Sequence, residues 1–216
     1  MRIDRSHDAL LVVDLQHDFL PGGALAVGEG DEIVAPIARL APAFEVVVAT
    51  QDFHPAGHVS FASAHPGTKP FETIVLTGGP QELWPDHCVQ GTRGAQIHPG
   101  FPDQAATLIL RKGTRRDVDS YSAFRENFGP GGTRATTGLA AWLGARGVRR
   151  VFTCGLARDF CVKWSALDAA EAGFETFVLD DLTRAVFPER KTEVDAEFAA
   201  KGVRVALGRD LELPHS

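Results

Sequence analysis

The stretch that most constrains the fold runs from Arg149 to Gly173, where a short apolar strand turns directly into a helix. Gly155 breaks the strand, and Cys161 falls in the first turn of the helix. The first N–H groups of a helix have no internal partner, and the helix dipole is positive there. A thiol at this point is biased towards thiolate, and the same N–H groups can bind a developing oxyanion. A lone cysteine is more often a small buried residue, so whether Cys161 is reactive depends on which residues the other strands bring to it.

Further apolar runs have the pattern of strands buried on both faces of a parallel sheet. Strands are predicted at residues 9–14, 44–50, 107–111, 151–154, 175–179 and 203–207. Helices are predicted at 31–40 with Asp31 as the cap, at 136–146, from Cys161 onward and at 189–200. This alternation predicts an α/β chain with a three-layer, doubly wound, Rossmann-like fold around a central six-stranded, mainly parallel sheet. Ligands of such folds bind outside the carboxyl ends of the strands.

Residues 51–100 interrupt the pattern, because proline, glycine, histidine and aromatic residues dominate there and only ETIVL suggests a short strand. A loop this long inside a compact domain usually carries function. The chain has 216 residues, 44% of them hydrophobic, which suits one domain with a substantial core. We therefore expect a single domain over residues 1–216, with 51–100 as an insertion that carries a metal site.

Charge and cysteine content limit the partners and the compartment. The formal net charge of −6, without a basic run, argues against nucleic acid or an anionic membrane as the main partner. No apolar stretch is long enough to cross a bilayer, and the first residues lack the apolar core of a signal peptide. Three cysteines without paired spacing fit reduced thiols. These features predict a cytoplasmic protein that acts on a small molecule.

Asp14, Lys112 and Cys161 are predicted at the ends of neighbouring strands. A thiol nucleophile needs a group that accepts its proton and later returns one to the leaving group, and a carboxylate with a raised pKa can do both. An ammonium group beside that carboxylate stabilises negative charge on either partner. Taken singly, Asp14 is explained as a cap and Lys112 as a solvated surface charge. Their joint placement favours a catalytic group.

The histidines of the insertion indicate a metal site. Asp52 and His54 point to one side of an extended segment, His58 follows closely, and His87 from a distant loop completes a three-ligand face. Such ligands suit zinc, iron or manganese better than calcium or magnesium. Alternatively, the histidines cap turns and pack on aromatic residues. Cys88 is an alternative fourth ligand, although a small buried residue beside His87 is the more ordinary interpretation.

Aromatic residues also fall in the loops at the strand ends. Phe19, Trp84 and Tyr121 can hold a flat aromatic ligand between rings, or they simply plug the cleft. The glycines at 28 and 30 do not connect the first strand to its helix with the spacing of a dinucleotide fingerprint, so no nucleotide cofactor is expected.

The chain resembles the isochorismatase-like cysteine hydrolases, and among them the nicotinamidase/pyrazinamidase branch. The resemblance covers most of the chain through five motifs in the same order, which is far more specific than any one motif. They are ALLVVDLQHDFLPGGALAV, TQDFHPAGHVSF, LWPDHCVQGT, LRKGTRRDVDSYSAF and GLARDFCVKWSALDAAEAGF.

The resemblance implies a role for each residue of the catalytic group. Cys161 is the expected nucleophile, Asp14 the proton acceptor and donor, and Lys112 the residue that orients Asp14. The backbone N–H groups of Ala157 and Cys161 are the expected oxyanion hole, and a cis peptide is expected between Leu156 and Ala157.

The resemblance also implies the ligands of the metal and the lining of the pocket. The metal ligands fall on Asp52, His54 and His87, with His58 at a position that some members use as a further ligand and Ser60 at one that reaches the metal through water. The expected substrate-binding residues are Phe19, Trp84, Tyr121 and Leu156. Arg158 and Phe160 stand where the family more often has threonine and tyrosine, so contacts at the rim are expected to differ.

The implied activity is that of an amidohydrolase, which converts nicotinamide to nicotinate and ammonia through a cysteine thioester, a step of NAD salvage. Pyrazinamide is an expected second substrate, and one divalent transition metal ion, zinc before iron or manganese, is the expected cofactor. Two alternatives stay open: a related cysteine amidase for another small amide or carbamoyl compound, and a non-catalytic protein that binds a pyridine ligand. The sequence indicates neither the native metal nor whether the protein is a monomer or a homo-oligomer.

Overall fold

A parallel sheet of six strands forms the centre of the computed structural model, which describes residues 1–129 and 131–213. The strands are β1 (Asp8–Val13), β2 (Val46–Asp52), β5 (Leu108–Lys112), β6 (Arg150–Leu156), β7 (Glu175–Arg184) and β8 (Arg204–Ala206). They lie in the order β5-β2-β1-β6-β7-β8, and every neighbouring pair is parallel. The prediction of an α/β fold around a six-stranded parallel sheet is therefore confirmed.

The apolar runs of the sequence form the middle of this sheet. All residues of β1 and β2 are buried, and β1 lies between β2 and β6. The edge strand β5 alternates between half-buried and exposed residues, as a strand paired on one side does, and only its last residue, Lys112, is buried. Since the strands are parallel, their carboxyl ends meet at one edge, and residues far apart in the chain are brought together there.

The helices are shorter than the sequence pattern predicts. They are α1 (Val34–Leu40), α2 (Leu139–Gly144), α3 (Lys163–Glu171) and α4 (Lys191–Ala200). Helix α3 packs on β6 and β7 and against α4, while α1 packs on β6. None of the helices in residues 1–129 and 131–213 has the length and apolar character needed to cross a membrane.

Two of the predicted helix starts are wrong by several residues. A 3₁₀ turn at Gly30–Ile33 precedes α1, and no side-chain cap starts either element, so Asp31 is not the cap. Helix α2 begins at Leu139 because Gly138 adopts a left-handed conformation at φ 86°. The Thr137 hydroxyl donates to the carbonyl of Ala123 at 2.7 Å, which ties the preceding segment to a loop.

The prediction that Gly155 ends the strand is wrong, because β6 continues to Leu156. Its φ of 104° is a conformation that favours glycine, and a Cβ atom there would overlap the backbone of Val13 in the neighbouring strand. The register between β6 and β7 shifts at this point. Gly155 therefore lets β6 bend at the edge where the chain enters the turn that carries Cys161.

The insertion between β2 and β5 holds a hairpin that lies outside the main sheet. Strands β3 (Thr73–Leu76) and β4 (Gly79–Glu82) pair antiparallel. The short strand suggested by ETIVL is thus present, whereas β4 has a sequence, GPQE, that carries no strand signal. Within the rest of the insertion, isolated bridges join His54 to Val89 and Phe61 to Trp84.

Candidate active site

Four neighbouring strands deliver the predicted catalytic and metal-binding residues to one edge of the sheet. Asp14 follows β1, Asp52 ends β2, and Lys112 ends β5. A single π-helical turn at Arg158–Val162 follows β6 and carries Cys161. All of these side chains are buried, and Asp14 has no exposed surface at all.

Lys112 lies at the centre of the group. Its Nζ is 2.8 Å from Oδ2 of Asp14 and 2.7 Å from Oδ1 of Asp52. It also lies 3.3 Å from Sγ of Cys161 and donates to the carbonyl of Ser120 at 3.1 Å. One ammonium group therefore contacts the thiol and both carboxylates.

Asp14 is held by the neighbouring strand. The Thr50 hydroxyl donates to Oδ1 of Asp14 at 2.6 Å, and the N–H of Asp14 donates to the same hydroxyl at 3.1 Å. Within the described residues, Oδ2 accepts no hydrogen bond of good geometry, although it lies in ion-pair contact with Lys112. Ligand atoms of Asp14, Asp52 and Cys161 lie within 4.8 Å of one another, so a carboxylate oxygen of Asp14 is near the thiol.

Burial sets the protonation of the group. It raises the pKa of Asp14 above its usual value, although Lys112 opposes the shift. Burial also raises the pKa of the Cys161 thiol well above its ordinary range, again against the effect of Lys112. This is the opposite of the bias expected from the helix N-terminus alone. A pKa raised in this way favours the neutral thiol, which needs a base to become a nucleophile, and a carboxylate oxygen of Asp14 lies close to it.

Lys112 stays charged in this buried place. Burial alone would lower its pKa, but the carboxylates of Asp14 and Asp52 hold the pKa of Lys112 well above its usual range. Burial would likewise raise the pKa of Asp52, yet the charge of Lys112 and the contact with His54 hold it well below its usual range. Asp52 is therefore the ionised carboxylate of the pair, and Asp14 the one whose proton affinity is increased.

Asp52, His54 and His87 form a set of ligand atoms that fits a metal ion. Nε2 of His54 and of His87 lie 3.3 Å and 3.7 Å from Oδ2 of Asp52. Each histidine donates its other ring hydrogen to a backbone carbonyl: Nδ1 of His54 to Gly113 at 2.9 Å, and Nδ1 of His87 to Pro85 at 2.8 Å. Both Nε2 atoms therefore face the carboxylate, and this donor set suits a divalent transition metal.

His58 and Ser60 lie beside this set, with their polar atoms engaged. The His58 ring stacks on His54, with 4.1 Å between ring centroids. Its Nδ1 is 2.8 Å from Oγ of Ser60, and its Nε2 is 3.2 Å from the carbonyl of Val118. Ligand atoms of His58 form a separate group with His54 and Asp119. In this arrangement His58 supports His54 rather than facing Asp52.

Two residues that sequence patterns do not single out hold the candidate metal ligands in place. Gly113 adopts φ 63°, and a Cβ atom there would overlap the ring of His54. The fully buried Gln16 accepts from the N–H of Asp52 and donates to its carbonyl, both at 2.8 Å. The backbone that presents Asp52 is thus fixed from the loop after β1.

The turn before Cys161 presents backbone donors. The peptide between Leu156 and Ala157 is cis, as the family resemblance implies. The carbonyl of Ala157 accepts from the N–H groups of Phe160 and Val162 at 3.1 Å and 3.0 Å, passing over that of Cys161. The N–H of Ala157 donates to no other group in the described part of the chain. The N–H groups of Ala157 and Cys161 are therefore suited to bind a negatively charged oxygen beside Sγ of Cys161.

A small cavity lies over Cys161. Its walls include metal-site residues, Ala157 and several large apolar side chains. They are Phe19, Leu25, Asp52, His54, Trp84, His87, Asp119, Tyr121, Ala157, Phe160, Cys161 and Val186. Phe19, Trp84 and Tyr121 thus line one cavity together with Cys161. Wider clefts beside Trp164 and beside Lys191 do not contain Cys161.

Leu156 is the expected pocket residue that lies apart from the cavity wall. It is fully buried at the end of β6, and its side chain packs against Gly30. Its backbone leads into Ala157, which does line the cavity. Leu156 therefore affects the cavity through the peptide that it shares with Ala157.

Three wall residues are not among those expected from the sequence: Leu25, Asp119 and Val186. Phe160 is expected there only to alter contacts at the rim. The Phe160 ring lies edge-on to Trp84, with 4.7 Å between centroids. An aromatic residue directly before Cys161 is the available sequence signal for Phe160. The Asp159 carboxylate accepts hydrogen bonds from the N–H groups of Val186 and Phe187 at 2.9 Å and 2.8 Å. These bonds join the Cys161 turn to Val186 in the cavity wall.

Comparison with known proteins gives a consistent family. The isochorismatase domain family model matches residues 8–209. The nicotinamidase of Acinetobacter baylyi is 49% identical over 178 residues, covering 82% of this chain and 81% of the relative. The nicotinamidase of Escherichia coli is 43% identical over 210 residues, covering 94% of this chain and 96% of the relative.

Solved structures agree with the sequence relatives. The Acinetobacter baumanii nicotinamidase/pyrazinamidase has a TM-score of 0.90 at 45% identity, covering 95% of this chain and 98% of that one. PnC1 of L. infantum in complex with nicotinate has a TM-score of 0.85 at 39% identity, covering 98% of each chain. The pyrazinamidase of Pyrococcus horikoshii in complex with zinc has a TM-score of 0.75 at 36% identity, covering 93% and 99%. By sequence and by fold, the chain belongs to the isochorismatase family and, within it, to the nicotinamidase/pyrazinamidase group.

Proposed function

We propose that the protein is a nicotinamidase, an amidohydrolase that converts nicotinamide to nicotinate and ammonia and also accepts pyrazinamide. The observation that carries this proposal is the position of Lys112, whose Nζ contacts Asp14, Asp52 and Cys161 at once. The nucleophile, its base and the metal-binding set are thereby joined in one buried group. The relatives that carry the same activity in their names support the choice of substrate.

The first half of the reaction uses Asp14 as a base. Oδ2 of Asp14 takes the proton of the Cys161 thiol while Sγ forms a bond to the amide carbon. The carbonyl π electrons move to oxygen, and the N–H groups of Ala157 and Cys161 bind the resulting oxyanion. Lys112 stabilises the negative charge that passes between Asp14 and Cys161.

The proton that Asp14 takes from the Cys161 thiol is then used to release ammonia. Asp14 returns it to the amide nitrogen, the carbon–nitrogen bond breaks, and a thioester with Cys161 remains. Water then gives a proton to Asp14 while its oxygen bonds to the thioester carbon. The carbon–sulfur bond breaks, and the thiolate recovers a proton from Asp14. One amide and one water thus give one acid and one ammonia, and the enzyme is regenerated.

The proposal includes a divalent metal ion, zinc first, held by Asp52, His54 and His87. When bound, it would supply a coordination position for the ring nitrogen of the substrate. The donor set supports this, since both Nε2 atoms face Oδ2 of Asp52 and both Nδ1 atoms are fixed by carbonyls. His58 and Ser60 orient His54 in this scheme, and a pyrazinamidase structure with zinc supports the choice of ion.

The cavity walls select a flat ring in this proposal. Phe19, Trp84 and Tyr121 provide apolar surface around a ring, and Phe160 narrows the space beside Trp84. A ring nitrogen at the metal set places the carboxamide towards Cys161 and Ala157, which line the same cavity.

An assay of ammonia release with purified protein tests the proposal. Nicotinamide and pyrazinamide should both release ammonia, with nicotinate or pyrazinoate formed in equal amount. Benzamide lacks the ring nitrogen and is the control, which should react much more slowly. Faster release from a carbamoyl compound would assign the protein to another amidase, and binding of nicotinamide without any release would make it a binding protein.

The proposal places the enzyme in the cytoplasm, where thiols remain reduced. Cys88, Cys154 and Cys161 are all unpaired and buried, so none depends on a disulfide. Fractionation of cells followed by the ammonia assay tests this. Activity in a secreted or membrane fraction would contradict it.

A further inference from the structure

Thr50 makes two hydrogen bonds to Asp14 through one oxygen atom. It lies on β2, next to β1 in the sheet, and only 1% of its surface is exposed. Its Oγ1 donates to Oδ1 of Asp14 at 2.6 Å and accepts from the N–H of Asp14 at 3.1 Å. A single hydroxyl thus holds both the main chain and the carboxylate of that residue.

This contact leaves the two carboxylate oxygens in different surroundings. Oδ1 is occupied by the Thr50 hydroxyl, whereas Oδ2 lies 2.8 Å from Nζ of Lys112 and accepts no well-formed hydrogen bond from the described residues. Asp14 itself adopts φ 49°, a conformation unusual for residues other than glycine. The contact to its N–H supports that conformation, and the contact to Oδ1 fixes the rotation of the carboxylate.

We propose that Thr50 is a positioning residue, whose hydroxyl turns Asp14 so that Oδ2 faces the Cys161 thiol. The inference rests on the proposed function in one respect, namely that Asp14 exchanges protons with Cys161. Proton transfer depends on a short and directed approach of donor and acceptor, so a carboxylate free to rotate transfers the proton less often. Threonine is suited to this role because one hydroxyl can donate and accept at the same time.

A purely structural role makes a different prediction. If the hydroxyl only satisfies buried polar groups, its removal lowers stability without a specific effect on the chemical step. The sheet offers a matched control in Thr153 of β6, which is also fully buried and whose hydroxyl donates to the carbonyl of Phe177 at 3.0 Å. Within the described part of the chain, the Thr153 hydroxyl makes no hydrogen bond to Asp14, Lys112 or Cys161.

The test compares Thr50→Val, Thr50→Ser and Thr153→Val, each with its full complement of metal. Valine keeps the shape of threonine and removes the hydroxyl, whereas serine keeps the hydroxyl. We expect Thr50→Val to lower kcat at least about 10-fold with KM nearly unchanged, since misplaced reacting groups cost rate. Thr50→Ser and Thr153→Val should stay within about threefold of the wild-type kcat, well short of that loss.

A second readout does not depend on the substrate. The rate of Cys161 alkylation by iodoacetamide, located by mass spectrometry, reports how readily the thiol loses its proton. Thr50→Val should slow this alkylation, and Thr153→Val should not. If the wild type releases no ammonia, the proposed function is wrong, and the alkylation rates still decide the role of Thr50.

The outcomes that overturn the inference are specific. If Thr50→Val keeps both its kcat and its alkylation rate within about twofold of the wild type, the activation barrier has hardly changed. That result would show that the hydroxyl does not position Asp14. Parallel losses in Thr50→Val and Thr153→Val would show a structural role only. If Thr50→Val does not fold, Thr50→Ala and Thr50→Ser take its place, because they differ from each other by the hydroxyl alone. Equal kcat for that pair would also overturn the inference.

Discussion

The ammonium nitrogen of Lys112 lies 3.3 Å from the sulfur of Cys161. The same nitrogen contacts Asp14 and Asp52, so the charge of one side chain is shared between the proposed nucleophile and the proposed metal-binding set. A change at any member of this group is therefore expected to affect the others. The predictions below separate chemistry, proton transfer, metal binding and substrate fit.

Replacement of the nucleophile should remove the chemistry and leave binding. We expect Cys161→Ala to lower kcat by at least about a thousandfold, as loss of a nucleophile generally does. Nicotinamide should still bind, because the cavity walls and the metal set remain, and calorimetry can measure this. Cys154→Ala, which removes a buried thiol in the middle of β6, is the control and should keep its activity. Substantial ammonia release by Cys161→Ala would contradict a thioester mechanism.

The pH dependence of kcat/KM should report Asp14. Asp14 must be ionised to accept the thiol proton, and burial raises the pKa of Asp14 above its usual value. Activity should therefore be lost on acidification at a higher pH than an ordinary aspartate would give. Lys112 opposes this shift, so Lys112→Met should move the acid limb to still higher pH, besides lowering the rate. An acid limb at the same pH in both proteins would refute the assignment.

Gly113 should be required for metal binding. In Gly113→Ala the new methyl group would overlap the ring of His54, whose Nδ1 donates to the Gly113 carbonyl. We expect the purified variant to lose most of its metal, as measured by elemental analysis. Gly147→Ala is the control, since Gly147 has a similar φ of 73° and open space around it. That variant should lose about 1 kcal/mol of stability from the left-handed backbone and keep its metal. Equal metal content in the two variants would contradict the role of Gly113.

Phe160 should determine how tightly the substrate is held. Its ring lies edge-on to Trp84 and 5.5 Å from Tyr121, and it lines the cavity beside Cys161. We expect Phe160→Ala to raise KM for nicotinamide about 10-fold, the scale of a lost aromatic contact, with a smaller change in kcat. Larger ring amides should become better substrates relative to nicotinamide. Tyr121→Phe keeps the ring and is the comparison. An unchanged KM in Phe160→Ala would show that other wall residues narrow the cavity.

Removal of the metal should affect substrate binding more than the thiol. After chelation, the affinity for nicotinamide should fall, and added zinc should restore it, because Asp52, His54 and His87 would again hold an ion. Cys161 alkylation should continue in the demetallated protein, since Asp14 and Lys112 are still present. Full affinity without metal would contradict a role of the ion in substrate orientation.

The sequence predicted those parts of the fold that depend on local pattern. The apolar runs located the strands, because residues buried on both faces of a parallel sheet leave little choice of composition. The helix starts at Leu139 and Val34 were missed, because a left-handed Gly138 and a 3₁₀ turn at Gly30–Ile33 decide them. Such backbone details have weak sequence signals. Strand β4, with Pro80 and Gly79, exists because β3 pairs with it.

The candidate site was predicted as a set of residues rather than as a network. The strand-end rule brought Asp14, Lys112 and Cys161 together, and the structure places them in contact or near contact. The contacts of Thr50 and Gln16 were missed, because they depend on which residues face each other across β1 and β2. The rise of the Cys161 pKa was missed for a related reason, since burial is a property of the whole fold and the helix terminus is only one contribution.

The parallel register of β1 with β6 has a consequence for how the protein becomes active. Asp8 to Val13 pair with Arg150 to Gly155, so the first strand to be synthesised waits for one made some 140 residues later, a long loop closure. Until that pairing forms, the acid after the first strand and the sulfur after the later one are separate groups on an open chain. A growing polypeptide therefore carries this thiol without the acid beside it, and catalytic competence requires the middle of the sheet to be completed.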